Sequence, residues 1–188
     1  MTIESTAIEG VYVVNPDVHE DTRGFFMETF REDEFAKAGI TEHFVQDNHS
    51  RSTQRNVLRG LHFQWDRPMA KLMRVTRGSA FLVAVDLRKG SPTLGSWFGI
   101  EASEDNKKEL YAPASFARGF QTLSDECEVQ YKCSALYNPD TQGEILWNDP
   151  EIAITWPLEG EPLMSERSAH APSLSDWLSR PESNSFTL

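Results

Sequence analysis

Two apolar sets of side chains alternate along one segment, and this double pattern limits the folds that the chain can adopt. In the run Ser79–Leu87, the even-numbered residues from Ala80 to Ala84 and the odd-numbered residues from Phe81 to Leu87 are all apolar. Successive side chains of a strand point to opposite faces of a sheet, so both faces of this strand must be buried. The segment therefore predicts a central strand in a structure of two layers.

Similar short segments, rich in β-branched and aromatic residues, recur between Gly, Pro, Asn and Asp residues. The other predicted strands are Val11–Val14, Gly24–Phe30, Val57–Gln64, Lys71–Thr76, Trp97–Ala102, Glu109–Tyr111, Gly119–Leu123, Cys127–Ser134 and Ile152–Thr155. Strands at this spacing are typical of a sandwich or a barrel. We therefore expect an all-β fold, a double-sheet jelly-roll barrel, with a few short helices.

The clearest predicted helix is Glu32–Ala38, which has acidic residues in its first turn and Gly39 as its stop. Towards the end of the chain the composition shifts to Glu, Ser and Pro. One amphipathic patch there predicts a docking turn of helix, and its residues are Leu174, Trp177 and Leu178. The length fits one domain over 1–188, with a core over about 10–172 and a tail over 173–188.

The composition limits the expected partners and the expected compartment. The 188 residues carry a formal net charge of -11, which disfavours binding to nucleic acid and to anionic lipid surfaces. No apolar run approaches the roughly 18 residues of a membrane span, and the acidic N-terminus lacks the apolar core of a signal sequence. The two cysteines, Cys127 and Cys133, are too few for a disulfide framework or a zinc ribbon. We therefore expect a cytoplasmic protein with neither a membrane nor a nucleic-acid partner.

One histidine stands apart from the others. His62 lies within the predicted strand Val57–Gln64, whereas the remaining histidines occur in polar or Pro-flanked surroundings. A single histidine in a strand is most often a core residue whose ring is satisfied by a backbone carbonyl. A metal site would need further ligands at close spacing, but Gly60 and Gln64 occupy those positions. The sequence therefore predicts no metal site, and the role of His62 depends on its neighbours.

Cations and polar groups accompany the strand that carries His62. Arg23, Arg59 and Lys71 each lie beside an apolar segment, so together they indicate an anion site at the mouth of the barrel. Taken singly, such cations are usually solvated charges at the rim. Hydrogen-bonding groups suited to a sugar and a diphosphate occur at similar positions, and they are Glu28, Gln46, Asn48 and Gln64.

Aromatic residues add further candidates. Tyr131 is a phenol on a predicted inner strand, where it is either a general acid or a core aromatic whose hydroxyl is satisfied. Tyr137 and Trp147 are weaker candidates for stacking on a ligand.

Several ordered blocks of the sequence resemble one known family. They are Asp21–Phe26 (DTRGFF), Phe44–Ser50 (FVQDNHS), Val57–Gln64 (VLRGLHFQ), Val85–Arg88 (VDLR), Ser91–Thr93 (SPT), Gln130–Lys132 (QYK) and Trp147–Pro150 (WNDP). The resemblance runs from about Gly10 to Pro172 and is to the dTDP-4-dehydrorhamnose 3,5-epimerases, which act on nucleotide sugars. It implies a cupin-type jelly-roll homodimer with a pocket inside the barrel, without metal or cofactor. In such a dimer we expect the apolar edge Val11–Val14 to be buried.

The resemblance also implies roles for individual residues. His62 matches the general base, Tyr131 the general acid, and Lys71 the cation that stabilises the enolate. Arg23 and Arg59 match positions that hold the nucleotide diphosphate. The remaining predicted substrate contacts are Phe26, Glu28, Gln46, Asn48, Arg118 and Tyr137. The substrate implied is a nucleotide-linked 4-keto-6-deoxyhexose, whose keto group activates both neighbouring carbons, C3 and C5.

Four positions depart from the family pattern. Arg118 replaces a histidine, Leu82 a frequent aspartate, and Leu136 an aromatic residue that often stacks on the nucleotide base. Ser168 stands where the family usually has an aspartate that pairs with the catalytic histidine. Loss of that aspartate makes His62 a weaker base unless another group replaces it. The candidate replacements are Ser168 and Glu166.

These departures leave three alternatives to a 3,5-epimerase. The first is a single-centre epimerase that acts at C3 or C5 of a CDP-, GDP- or dTDP-linked deoxysugar. The second is a non-catalytic sugar-nucleotide-binding barrel, and the third is a 3,4-ketoisomerase. The nucleotide, the sugar and the number of inverted centres stay open at this point.

Overall fold

The computed structural model describes residues 1–188 and is built mainly of short antiparallel strands. The strands are β1 (Thr2–Ser5), β2 (Tyr12–Asn15), β3 (Val18–Asp21), β4 (Gly24–Met27), β5 (Gln46–Ser52), β6 (Leu58–Gln64), β7 (Lys71–Arg77), β8 (Ser79–Asp86), β9 (Trp97–Ser103), β10 (Glu109–Ala112), β11 (Phe116–Thr122), β12 (Cys127–Cys133) and β13 (Gln142–Glu144). The α-helices are α1 (Glu32–Lys37), α2 (Glu166–Ala169) and α3 (Leu174–Ser179), and 3₁₀ turns span Pro139–Thr141 and Pro181–Phe186. No helix is long and apolar enough to cross a membrane.

The strands form two main sheets that face each other. One sheet has the order β1-β2-β10-β7-β12-β5 and the other the order β13-β6-β11-β8-β9, while β3 and β4 pair only with each other. Apolar side chains from both sheets fill the space between them, including Val75, Leu82, Leu110, Phe120 and Val129. The predicted cupin-type jelly-roll barrel is therefore confirmed.

Strand β8 shows why its sequence is apolar on both faces. Leu82 and Ala84 belong to the core between the sheets, whereas Val83 and Val85 belong to a second core on the outer face of the five-stranded sheet. All four side chains are fully buried. The alternation in this segment therefore predicted the two-sided burial of the strand correctly.

The second core is closed by the C-terminal segment. Trp177 of α3 contacts Phe63 of β6, with ring centroids 4.5 Å apart, and Phe186, with centroids 5.6 Å apart. A capping box between Ser173 and Asp176 fixes the start of α3. The docking helix expected around Leu174 is therefore present. The hydrophobic core does not stop near residue 172, because the outer face of the barrel needs this cover.

Several predicted elements differ from those observed. The predicted strand Ile152–Thr155 is wrong, because Asp149 accepts hydrogen bonds from the following backbone and Ala153 has a φ of 50°, so the chain turns there. Ile152 is apolar because it packs in the second core. Strands β1, β3, β5 and β13 were not predicted, since their sequences are largely polar.

The prediction that Val11–Val14 forms an edge strand of its sheet is also wrong. Strand β2 lies between β1 and β10, and Val11 and Val14 are fully buried within the chain itself. The edge strands of this sheet are β1 and β5. Burial of the Val11–Val14 segment therefore gives no support to a dimer.

The cover provided by α3 leads to a prediction about stability. Replacing the buried Trp177 with Ala removes its contacts with Phe63 and Phe186, so the free energy of unfolding should fall by about 3–5 kcal/mol. Urea unfolding followed by circular dichroism measures the change. The matched control is Leu188→Ala in the same segment, where the side chain is 68% exposed, and its effect should stay within about 0.5 kcal/mol. Equal effects of the two substitutions would show that the segment is not part of the core.

Candidate active site

Four polar side chains from the two sheets meet at one end of the barrel interior. His62 of β6 and Arg118 of β11 are cross-strand partners in one sheet. Lys71 of β7 and Tyr131 of β12 come from the other sheet, and Lys71 Nζ lies 4.8 Å from the centre of the Tyr131 ring. All four side chains line a cavity of about 420 Å³ and a smaller adjoining cavity of about 140 Å³. The barrel is therefore apolar at one end and strongly polar at the other.

A close approach of two glycines fixes the wall that carries His62 and Arg118. A Cβ atom on Gly60 would lie 2.6 Å from the Cα atom of Gly119, and Gly60 has a φ of 128°. Only glycine tolerates both this contact and this conformation. The ladder between β6 and β11 shifts register between Arg118 and Phe120. The Arg-Gly pairs in both strands thus allow the two backbones to touch next to the site.

The site contains two cations without an acidic partner. Arg118 is only 2% exposed, and it donates one hydrogen bond from Nη1 to the Pro113 carbonyl at 3.0 Å, while its buried Nε has no partner. Burial lowers the pKa of Arg118 to about 10. Burial, and then the charge of Arg118, lower the pKa of Lys71 to about 8. Both groups are therefore suited to an oxygen ligand that carries negative charge.

His62 and Tyr131 have pKa values that are shifted in opposite directions. Burial, followed by the charges of Lys71, Arg167 and Arg118, lowers the pKa of His62 to about 3. Burial raises the pKa of Tyr131 above its ordinary value. At neutral pH the imidazole is therefore neutral and able to accept a proton, and the phenol is protonated and able to donate one.

A carboxylate that the sequence analysis did not identify lies beside His62. Glu144 of β13 is the cross-strand partner of His62, and its Oε1 is 3.6 Å from His62 Nε2. Ser168 Oγ donates to Glu144 Oε2 at 2.9 Å, and Arg167 Nε lies 2.8 Å from Oε1. The only signal in the sequence was the position of Glu144 directly before the apolar Ile145. Of the two expected substitutes for the missing aspartate, Ser168 contacts Glu144, while Glu166 has no contact with His62.

The rim of the larger cavity is a chain of hydrogen bonds. The Tyr137 hydroxyl donates to Gln142 Oε1 at 2.6 Å, and the Tyr137 backbone N–H donates to Gln46 Oε1 at 2.9 Å. Gln46 Nε2 in turn donates to Asn48 Oδ1 at 3.0 Å. Arg59 lines the smaller cavity at its exposed end. Gln46, Asn48, Arg59 and Tyr137 therefore line the cavities that contain His62, and their contact with a substrate stays a prediction.

Three predicted substrate contacts lie elsewhere in the same chain. Arg23, Phe26 and Glu28 belong to the β3–β4 hairpin or follow it, and none lines a cavity that contains His62. The Arg23 side chain is 88% exposed and pairs with Asp21, while Glu28 lies 3.6 Å from Arg31. A single chain does not bring these residues to His62.

Two further aromatic and apolar positions have structural explanations. Trp147 packs against the second core, and its carbonyl accepts a hydrogen bond from Trp156 Nε1 at 2.8 Å, so it is not a stacking residue of the cavity. Leu136 is 64% exposed beside Tyr137. No three side chains of the His, Cys, Asp and Glu types lie close enough together to hold a metal ion.

Comparisons with known proteins agree with this geometry. The family model described as dTDP-4-dehydrorhamnose 3,5-epimerase matches residues 5–176. The dTDP-4-dehydrorhamnose 3,5-epimerase of Methanothermobacter thermautotrophicus is 53% identical over 154 residues, which cover 82% of this chain and 83% of that protein.

Solved structures show the same similarity in three dimensions. A dTDP-6-deoxy-D-glucose-3,5-epimerase from Legionella pneumophila Philadelphia 1, in complex with dTDP-4-keto-L-rhamnose, superimposes with a TM-score of 0.92 at 42% identity, over 97% of this chain and 96% of that chain. A 3'-monoepimerase from Streptomyces bikiniensis, in complex with dTDP-quinovose, gives a TM-score of 0.85 at 34% identity, over 92% and 87% of the two chains. Because the match extends over nearly the whole barrel, the predicted epimerase class is confirmed and the chain belongs to the dTDP-4-dehydrorhamnose 3,5-epimerase family.

Proposed function

We propose that this protein epimerises a dTDP-linked 4-keto-6-deoxyhexose at C3 and C5 by proton transfer beside the keto group. One observation carries the proposal: a neutral imidazole, a protonated phenol and an ammonium group line the same cavity, with His62 on one sheet and Tyr131 and Lys71 on the other. Inversion needs a base and an acid on opposite faces of the sugar ring. Side chains from facing sheets meet that requirement.

The reaction proceeds through an enolate. His62 removes the proton from C5 or C3, the C–H electrons form a carbon–carbon double bond to C4, and the keto oxygen becomes the enolate oxygen. Tyr131 then donates its proton to the opposite face while the enolate returns to the ketone. The imidazolium releases its proton to solvent and the phenolate takes one up, so the enzyme returns to its starting state. A second round at the other carbon completes the double inversion.

Cationic side chains beside the keto oxygen at C4 accelerate the removal of the proton. A C–H bond beside a ketone is a very weak acid, and a near-neutral base removes its proton rapidly only if the developing negative charge is stabilised. Lys71 supplies that charge, and the unpartnered Nε of Arg118 supplies a second donor in the same cavity. Arg118 thus takes over a place that the family pattern assigns to a histidine.

The nucleotide part of the site requires a second copy of the chain. The β3–β4 hairpin pairs with no other strand, and Phe25 and Phe26 are 55% and 71% exposed. Isolated two-stranded hairpins are marginally stable, and exposed aromatic patches usually mark an interface. These features support a homodimer in which the hairpin reaches the mouth of the other barrel. There Arg23, Phe26 and Glu28 join Arg59 around the nucleotide diphosphate.

A single-centre epimerase is the second candidate. The observation that favours it is the buried guanidinium of Arg118, which is larger than an imidazole and permanently charged. It restricts how far the sugar ring can turn between the two proton transfers. The similarity to the 3'-monoepimerase at 34% identity shows that this fold also occurs in a single-centre enzyme.

Deuterium uptake tests the reaction directly. In heavy water, the purified protein should transfer deuterium to C3 and C5 of dTDP-4-keto-6-deoxyglucose, and NMR of the product identifies the labelled carbons. Replacing His62 with Asn should lower the exchange rate by about 10²–10⁴. The exposed His43, which pairs with Glu32, provides a control, because His43→Asn should exchange normally. Label at one carbon only would establish the single-centre enzyme, and no label despite ligand binding would exclude both.

The pH dependence tests the role of the cations. Lys71 is charged below its pKa of about 8, so kcat/KM should fall as the pH rises through about 8. Arg118 lowers this pKa, and replacing Arg118 with Gln should therefore move the fall to higher pH, by roughly half to one unit. Tyr131 titrates above this range because burial raises its pKa. The exposed Lys108 is the control, since Lys108→Gln should leave the profile in place. A fall that stays at the same pH in Arg118→Gln would contradict the assignment.

Mixing two inactive variants tests the contribution of the hairpin. His62→Asn and Arg23→Ala each disable their own homodimers, but a mixed dimer contains one site with both native residues if the hairpin acts in the other subunit. Random mixing should then restore about a quarter of the wild-type activity. Light scattering measures the dimer, and activity after unfolding and refolding the mixture measures the restored sites. No restoration would place the action of Arg23 within its own chain.

A further inference from the structure

We infer that Glu144 is the positioning residue of the catalytic base: its carboxylate orients His62 and balances the charge that His62 gains when it takes the substrate proton. This role rests on the proposed function of His62. The sequence analysis expected Ser168 or Glu166 to replace the missing aspartate, and here Glu144 of β13 takes that role.

The geometry of the pair supports this role. Glu144 stands directly opposite His62 in the ladder between β13 and β6, so both side chains leave the sheet on the same side. The distance of 3.6 Å from Oε1 to Nε2 is slightly longer than a hydrogen bond, and the two groups form an ion pair once His62 takes up a proton. Hydrogen bonds of catalytic groups are often long before the substrate binds and shorten in the complex. With Nε2 facing Glu144, Nδ1 is the nitrogen that takes the proton.

The carboxylate is held in place from its other side. Its side chain is 6% exposed; Oε2 accepts a hydrogen bond from Ser168 Oγ at 2.9 Å, and Oε1 forms an ion pair with Arg167 Nε at 2.8 Å. Ser168 is itself oriented by Ser165, whose Oγ lies 2.9 Å from Ser168 Oγ. A buried carboxylate with these partners has few other positions to occupy.

The charge balance around His62 shows why the carboxylate is needed. The nearby cations Lys71, Arg118, Arg59 and Arg167 all oppose a positive charge on the imidazole. Glu144 is the only acidic side chain in contact with the ring. When His62 becomes an imidazolium, the adjacent carboxylate offsets part of this repulsion. Glu144 does not itself take the proton.

Glu144→Gln tests the inference because it removes the charge and keeps the shape. We expect kcat to fall by about 10- to 100-fold, as is typical when an orienting partner is lost, with KM near the wild-type value. The kinetic isotope effect on kcat with substrate deuterated at C5 should rise, because proton abstraction becomes more rate-limiting. A purely structural role would lower the melting temperature and leave the isotope effect unchanged, and that result would overturn the inference.

A rescue experiment makes the test independent of folding defects. Ser168 Oγ lies within hydrogen-bond distance of Glu144 Oε2, so an aspartate side chain at position 168 would place a carboxylate near the same point. Ser168→Asp should therefore recover much of the activity of Glu144→Gln, and failure of a folded double variant to recover any would count against the role.

One control separates the carboxylate from its surroundings. Glu166→Gln removes a neighbouring charge that has no contact with His62, and it should keep kcat and the isotope effect near wild type. A large loss in Glu166→Gln together with a normal Glu144→Gln would transfer the role to Glu166 and overturn the inference.

A spectroscopic measurement keeps this inference distinct from the proposed function. In ¹⁵N NMR at neutral pH, the His62 ring should carry its proton on Nε2 in the wild type, and Glu144→Met, which removes both oxygens, should shift the ring towards a mixture of tautomers. This result holds even if no tested sugar nucleotide is epimerised. Identical His62 spectra in the two proteins would exclude the pairing, whatever the substrate.

Discussion

Two like charges held inside a barrel set the conditions for everything else at this site. Lys71 and Arg118 come from different sheets, and both line the same cavities. Burying a charge without a partner destabilises a protein by several kcal/mol, and flexible cations normally avoid this by reaching solvent. Here each belongs to a strand with a neighbour on both sides, since β7 lies between β10 and β12, and β11 lies between β6 and β8. The ladders keep the cations in the interior.

An electropositive cavity favours one step of the chemistry and opposes another. In the proposed reaction the enolate brings the negative charge that Lys71 and Arg118 lack, so the cavity is organised for the transition state before the substrate arrives. The same cations lower the pKa of His62 and make it a reluctant base. In the proposed mechanism, a carboxylate beside His62 resolves this conflict without neutralising the cations at the keto oxygen, because Glu144 contacts the imidazole and not Lys71 or Arg118. In that role Glu144 replaces the missing aspartate, which is one of the two departures that suggested a non-catalytic barrel.

The sequence predicted those parts of the structure that leave a direct signal in it, either a regular apolar pattern or a match to a known family. Burial on both faces left a clear alternation in β8, and the family resemblance led to His62, Lys71 and Tyr131. The apolar residues Ile152 and Ile154 suggested a strand, but they pack against the outer core from a turn, since burial requires apolar side chains and not ladder pairing. Glu144 escaped notice because β13 is a three-residue edge strand of polar sequence. Its proximity to His62 arises only from a long-range pairing.

Arg167 and Ser168, which hold Glu144 in place, link the site to the C-terminal segment that contains α2 and α3. Leu163 accepts a backbone hydrogen bond from Leu58, at the start of the strand that carries His62, and α2 follows directly with Arg167 and Ser168. Beyond α2, the helix α3 packs Trp177 into the outer core, so α2 is fixed at both ends. Ser168 makes no hydrogen bond to His62, whereas Glu144 lies on the paired strand and has its second oxygen held by Ser168 Oγ. Ser168 in place of the usual aspartate is therefore compatible with Glu144 on β13. In this chain the strand carries the carboxylate, and the helix α2 orients it.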